Sequence, residues 1–333
     1  GSGIPRIDFS DDANGALLLE PTRSNLVKSS GDISTQSTYW ASNQGGTSVQ
    51  NATTAPDGSN TASQINTFGQ QYGGVTQGSI SVSNTEYTYS IYLKAKNGTP
   101  NIRLIFFDGV DFHSSDFTIS SEWKRYDYKF TPVSGSFQIY ITCPNVVASF
   151  YTWGAQLEQG SYATSYIPTS GSVVTRVQDV CNNGGNEQVI NSTEGVLYLE
   201  GSALANDGTF RFISLKNKTT VDIIRIGYIT TSNRIEVQNY KAGALFNSFN
   251  YEVQDVKTNS KIAFKWKDND FQLYINGLNV LSNTSVTAWG SGVFQSLQFD
   301  QHNGGNDFYG NTKDLRVYNT ALTDAELQAL TTI

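Results

Sequence analysis

The carboxylates, histidines and oxygen-rich loops of this 333-residue chain set the limits of its chemistry. Glycoside hydrolysis needs two carboxyl groups held close in one cleft. The nearest candidates are Glu194 and Glu200, whose even spacing would place both on one face of a single strand. Gly195 interrupts that stretch, so no catalytic residue is assigned and the chain reads as a non-enzyme. His113 and His302 are the only histidines; neither lies in a nucleophile elbow or an H-E-x-x-H context, and both read as polar loop residues. The run from Asp300 to Asp307 is different, because a loop dense in Asp and Asn oxygens suits Ca²⁺, which takes six to eight oxygen ligands. Asp300, Asn303, Asn306 and Asp307 are the candidate ligands, although their spacing is not that of an EF-hand and Asn-Gly-Gly is also turn chemistry. No other cofactor is required.

A second set of residues depends on strands to position it. Tyr87–Lys96, Asn101–Phe107, Trp123–Thr131 and Ser136–Thr142 alternate apolar and polar residues between turn clusters. Tyr87, Tyr89, Ile91 and Leu93 then share a core face with Ile102, Leu104, Phe106, Tyr126, Tyr128, Phe130, Phe137, Ile139 and Ile141. The opposite face carries Tyr92, Lys94, Arg103, Phe107, Arg125, Asp127, Gln138 and Tyr140. Rings beside planar hydrogen-bonding groups suit a sugar, whose C–H face stacks on an aromatic ring while its hydroxyls find partners. An ordinary solvated sheet face tolerates the same residues. Tyr92, Arg103, Phe107, Arg125, Asp127, Gln138 and Tyr140 are the candidate carbohydrate-binding residues.

Composition supports strands as the scaffold. The chain is 12% aromatic and 15% charged, with 30 Gly and many Ser, Thr and Asn, which favours short strands and polar turns. The expected fold class is all-β, two β-sandwich (jelly-roll) domains in tandem with a short C-terminal helix. Residues 1–24 read as an extended lead-in ended by Pro21, 25–170 as the first sandwich, 171–188 as a linker and 189–333 as the second sandwich. A formal charge of −7 argues against a nucleic-acid partner, no apolar run approaches a membrane span, and Cys143 and Cys181 read as free thiols. In the second half, strands are expected at Gly195–Gly201, Phe210–Leu215, Val221–Tyr228, Arg234–Val237, Lys261–Lys267, Phe271–Ile275 and Val293–Phe299. Asn276-Gly277 predicts a type I′ hairpin turn, and Thr323-Asp-Ala-Glu326 a capping box opening a helix over Asp324–Leu330.

Asn25 to Thr169 resembles the jelly-roll carbohydrate-binding modules, through the NLV opening at Asn25, Trp40, YSIYLKAK, RLIFF, WKRYDYKFT and the closing FYTWGAQLEQG. GALLLEPTRSNLV at Gly15–Val27 and GAQLEQGSYATSYIPT at Gly154–Thr169 resemble a bracket around such modules in bacteriophage virion and tail proteins. Gly195 to Ile333 resembles the laminin-G-like, concanavalin A-type lectin and glucanase domains, through KIAFKWKDNDFQLYINGLNV and FYGNTKDLRVYNTALTDAELQAL. That superfamily spans lectins, structural modules and hydrolases, so it implies a fold more than an activity. Its glucanases' E-x-D-x-x-E arrangement is absent here. The resemblances imply a non-catalytic phage tail, fibre or head-appendage protein on the virion surface. Its partners would be bacterial surface polysaccharide and other virion proteins, with weak sites multiplied in a homo-oligomer such as a trimer. The lead-in would then lie against a neighbouring chain or particle. Two other readings share these features: the accessory binding region of a secreted, extracellular polysaccharide-degrading enzyme, and an architectural decoration protein without a ligand.

Overall fold

A computed structural model describes residues 5–10, 12–217, 219 and 221–333. Alternating sequence becomes strand almost throughout. In chain order these are β1 (Ile7–Asp8), β2 (Ala16–Leu19), β3 (Arg23–Asn25), β4 (Ala41–Asn43), β5 (Thr47–Thr53) and β6 (Ala62–Phe68). There follow β7 (Gly74–Val82), β8 (Tyr87–Ala95), β9 (Asn101–Phe107), β10 (Phe112–Thr118), β11 (Lys124–Phe130), β12 (Gly135–Thr142), β13 (Val147–Gln159) and β14 (Val174–Arg176). The last part holds β15 (Glu194–Ala203), β16 (Arg211–Lys216), β17 (Ile223–Tyr228), β18 (Arg234–Lys241), β19 (Ala244–Glu252) and β20 (Ser260–Lys267). It closes with β21 (Phe271–Ile275), β22 (Leu278–Asn283), β23 (Ser296–Gln298), β24 (Gly310–Tyr318) and α1 (Asp324–Thr331).

The fold is all-β, two sandwiches with one short C-terminal helix, but the chain nests them. One unit, Thr22–Val177, is inserted into the other, which joins the chain up to Pro21 to Gln178–Ile333. The lead-in expected over residues 1–24 is therefore corrected. Its β1 and β2 extend a sheet of the second sandwich, with Leu17 opposite Thr312 and Leu19 opposite Gly310 on β24. Leu19 is buried in that sandwich's core. Pro21 does end the strand, as its missing N–H requires. The expected linker 171–188 also has structure: Val174–Arg176 pairs antiparallel with Arg23–Asn25, so the two ends of the inserted unit form one ribbon.

The inserted unit stacks sheet β10-β9-β12-β7-β4 on sheet β11-β8-β13-β6-β5. Tyr89, Ile91, Leu93, Ile102, Leu104, Phe106, Phe130, Ile139 and Ile141 fill its core, which is the face that strand alternation predicts. The bracketing stretches lock it shut. The Asn25 amide donates to the carbonyls of Ala155 (3.1 Å) and Ile167 (2.9 Å), and its oxygen accepts from the N–H groups of Val27 and Leu157. Buried Glu158 accepts from the Thr164 N–H (2.8 Å) and hydroxyl (2.6 Å), and the Thr169 N–H donates to Ser30 Oγ (2.8 Å). Between these anchors β13 makes a bulge at Gly154, whose φ of +68° is left-handed and suits glycine.

The split unit pairs a seven-stranded sheet, β1-β2-β24-β15-β20-β21-β22, with a five-stranded one, β19-β18-β17-β16-β23. Asn276 and Gly277 sit at φ +51° and +83° between β21 and β22, the two left-handed positions of a type I′ turn. Thr323 and Glu326 cap α1 reciprocally, and Leu327 packs on Val196, Tyr198, Ala263 and Tyr274 of the seven-stranded sheet. On the outward face of the five-stranded sheet Phe212, Ser214 and Ile223 are buried, whereas Arg225, Gln238 and Tyr240 are half-buried.

Candidate functional site

The seven candidate sugar-binding residues do not share a surface. Tyr92, Arg125 and Asp127 belong to β8 and β11 in one sheet; Arg103, Phe107, Gln138 and Tyr140 belong to β9 and β12 in the other. Alternation places all seven outward, but two stacked sheets have outward faces on opposite sides. The single platform is therefore two.

On the first of these faces, Tyr92 and Arg125 have structural partners. Tyr92 packs against Trp153 (5.7 Å between centroids), which packs in turn on Tyr166 (4.5 Å). The Arg125 guanidinium lies 5.6 Å from the Tyr92 ring centre and donates to the Thr164 carbonyl (2.6 Å) and Ser90 Oγ (2.8 Å). Ala55, Ala62 and Trp123 complete this cluster, and the Ser161–Thr169 segment runs through it. Asp127 stands exposed on edge strand β11.

The opposite face keeps its rings available. Phe107 stacks on Phe112 of neighbouring β10 (4.5 Å), and Phe112 stacks nearly parallel on Tyr72 (5.6 Å, 6°), giving a three-ring ladder. Phe112 remains 52% exposed, which is what a stacking platform requires. Tyr72 is fixed from both sides: Asn43 donates to its carbonyl and its N–H donates to Gln44 Oε1 (2.9 Å). Arg103 holds Asp116 through two parallel bonds, Nε to Oδ1 (2.5 Å) and a terminal nitrogen to Oδ2 (2.7 Å). That bonding raises the Arg103 pKa and lowers that of Asp116, so both stay charged at neutral pH. The Tyr140 hydroxyl donates to Gln138 Oε1, and burial pushes its phenol pKa up. Rings, a fixed ion pair and a phenol–amide pair thus share one sheet face. Tyr72, Phe112 and Asp116 are additions to the sequence reading. Phe112 and Asp116 could have been found from the alternation of FHSSDFT, whereas Tyr72 lies in a loop with no period.

His113 is not a loop residue: it lies on β10, its ring stacks on Phe130 (5.2 Å) and its Nε2 is 2.9 Å from Asp108 Oδ2. Asp108 is desolvated, which alone would raise its pKa. Backbone N–H groups of Asp111, Val133 and Val110, with His113, outweigh this and hold it well below the usual carboxylate range. Glu194 and Glu200 do lie on one strand, β15, uninterrupted by Gly195. Six residues of strand separate them by about 20 Å, beyond the reach of paired carboxyls in glycoside hydrolysis. Glu194 instead meets Lys267 (3.2 Å) and Glu200 accepts from Asn259 (2.9 Å).

The 300–307 loop spends its oxygens internally. Asp300 accepts from the His302 N–H (2.5 Å), Asn303 Oδ1 from the Gln301 amide (3.0 Å), and Asp307 from the Tyr309 hydroxyl (3.0 Å); Asn306 donates to Gln301 (2.7 Å). Among the described residues no group of three or more His, Cys, Asp and Glu side chains could hold a metal ion. The loop's neighbours are cationic: Lys216 donates to the His302 carbonyl (2.8 Å) and Arg225 reaches Gln301 (3.4 Å). Burial, with these two charges, holds the His302 pKa below its ordinary value against the opposing pull of the Gln301 carbonyl and Asp300.

Residues 182–328 match the Laminin_G_3 family model, the concanavalin A-like lectin/glucanases superfamily. The match spans most of the split unit's C-terminal segment. Among solved structures, the chain is similar to the CBM40 of the Ruminococcus gnavus IT-sialidase bound to α2,3-sialyllactose (15% identity, TM-score 0.37, 46% of this chain and 95% of that one). It is similar also to the CBM22-1-CBM22-2 tandem domain of Paenibacillus barcinonensis Xyn10C (10%, TM-score 0.33, 97% and 100%). A third is domain 4 of the Geobacillus stearothermophilus arabinanase AbnA in complex with arabinotriose (16%, TM-score 0.34, 52% and 83%). No curated protein matches the sequence. None of these similarities carries a ligand to this chain.

Proposed function

We propose that the chain is a non-catalytic carbohydrate-binding protein, and that the outward face of β9, β10 and β12 is its sugar platform. One observation carries the reading: the Tyr72–Phe112–Phe107 ladder stands beside the Arg103–Asp116 pair on the same exposed face. A pyranose stacked on Phe112 would meet Gln138 beside Phe107, and the next sugars of an oligosaccharide would run past Tyr140 to Arg103 and Asp116, about 13 Å along the strands, each of which can donate or accept. A glycan array probed with the whole chain, followed by titration of the best hit, tests this. Phe112→Ala should weaken binding about fivefold or more, since a stacked ring contributes about 1 kcal/mol beyond its buried area. An array that stays blank for the chain and for any oligomer it forms would overturn the proposal.

The setting we propose is a bacteriophage tail, fibre or head appendage, presenting the platform to bacterial surface polysaccharide from the virion surface. The resemblance of Gly15–Val27 and Gly154–Thr169 to stretches bracketing such modules in virion proteins supports it. Weak single sites would gain avidity by repetition in a homo-oligomer. Mass spectrometry of purified particles tests this part separately from sugar binding, and absence of the chain from them would remove it.

A further inference from the structure

The outward face of the five-stranded sheet in the split unit carries a cation that the fold does not neutralise. One rung of that sheet is polar on every strand: Gln298 on β23, Ser214 on β16, Arg225 on β17, Gln238 on β18 and Ser248 on β19 are successive partners. Arg225 sits at its centre, half-buried, with its guanidinium 4.4 Å from the Phe212 ring centre and 4.9 Å from that of Tyr240. Gly227, next outward on the same strand, leaves room for Phe212, because a Cβ there would lie 2.6 Å from its ring. The guanidinium is thus clamped between two rings and aimed by Gln238 (Nε to Oε1, 2.7 Å) and the Tyr240 hydroxyl (3.0 Å).

All of these partners are neutral. Among the described residues no carboxylate comes within ion-pair distance of Arg225, or of Lys216 nearby on β16. Glu236 acts on Arg225 only at longer range and accepts from Ser248 (2.8 Å). Desolvating a guanidinium costs free energy that a neutral amide and phenol do not restore. Its remaining terminal nitrogen makes one long bond, 3.4 Å to Gln301, and is the edge left for an incoming acceptor. Ser214, wholly buried beside it, has a hydroxyl with no partner. A preformed cation, an unused hydroxyl and flanking amides and a phenol make an anion site with sugar-compatible surroundings.

We propose that this face is a second carbohydrate site, distinct from the platform on the inserted unit, and that it takes an acidic saccharide by its carboxylate, held by Arg225 and Lys216. The test is calorimetric titration of the whole chain with hexuronate oligomers, a hyaluronan tetrasaccharide and sialyllactose. Each is compared with its neutral carboxyl-reduced or desialylated counterpart, and inorganic phosphate and sulfate are run alone. At least one acidic saccharide should bind, more weakly as salt rises, while its neutral counterpart binds at least about tenfold more weakly, as loss of a charge-assisted pair predicts. Arg225→Gln should abolish that preference and Lys216→Gln reduce it, whereas Phe112→Ala should leave it intact, so failure here is separable from failure of the platform. Should Arg225→Gln not fold, the ¹⁵N resonance of Arg225 Nε in the unsubstituted chain must shift on titration. The proposal is overturned if no acidic saccharide binds, if the neutral forms bind equally, if phosphate or sulfate binds as well as every saccharide, or if that resonance stays still.

Discussion

Arginine plays three different parts in this chain, and its neighbours decide which. Arg125 is tied to a backbone carbonyl and a ring, Arg103 to a carboxylate on the next strand, and Arg225 to neutral groups only. Arg103 and Arg125, alike as candidates in the sequence, therefore have unequal outcomes. Arg125→Ala should destabilise the inserted unit by about 2 kcal/mol, through the Thr164 and Ser90 groups left unpaired, while leaving glycan affinity at the Phe112 platform unchanged. Arg103→Ala should do the reverse, costing little stability because the pair is partly exposed, and weakening binding. Melting curves and glycan titrations of the two variants check both. Asp108 gives a pH prediction. Its folded pKa is depressed, so its contribution is complete above the ordinary carboxylate pKa near 4 and is lost as pH falls below it. In Asp108→Asn the melting temperature should be lower at neutral pH, and the fall from pH 5 to pH 2 shallower by about 1 kcal/mol or more of stability.

At the scale of strands, sequence alternation separated inside from outside correctly and could do no more. β8 and β9 are neighbours in the chain yet lie in different sheets, as do β11 and β12. Parity is a property of one strand, whereas sheet membership depends on pairing partners far away, so Tyr92 and Arg103 looked alike and ended on opposite surfaces. Local chemistry was fully legible where its cause is local: Asn276-Gly277 turns, and Thr323 with Glu326 caps α1. The 300–307 loop illustrates the opposite limit. Its oxygens were visible in the sequence, but Lys216 and Arg225 come from strands far along the chain and change the sign of its surroundings. The flanking motifs around the inserted unit proved mechanical. Asn25→Ala should cost about 3 kcal/mol, since it strands two carbonyls and two N–H groups in a buried place, and urea denaturation of the excised Thr22–Val177 unit measures it.

For the whole molecule, nesting changes what truncation does. Removing residues up to Pro21 takes β1, β2 and buried Leu19 away from the split unit and exposes the β24 edge. That deletion should lower the split unit's melting transition and leave the inserted unit's in place, which differential scanning calorimetry would resolve. The ribbon of Arg23–Asn25 with Val174–Arg176 has another consequence, for tension. A pull on Ile7 and Ile333 acts first on the split unit, where β2 must part from β24. Until that seam fails the inserted sandwich carries no load, because both of its chain ends leave through one paired ribbon. Tension between those two points would therefore strain one sandwich while the other rode slack.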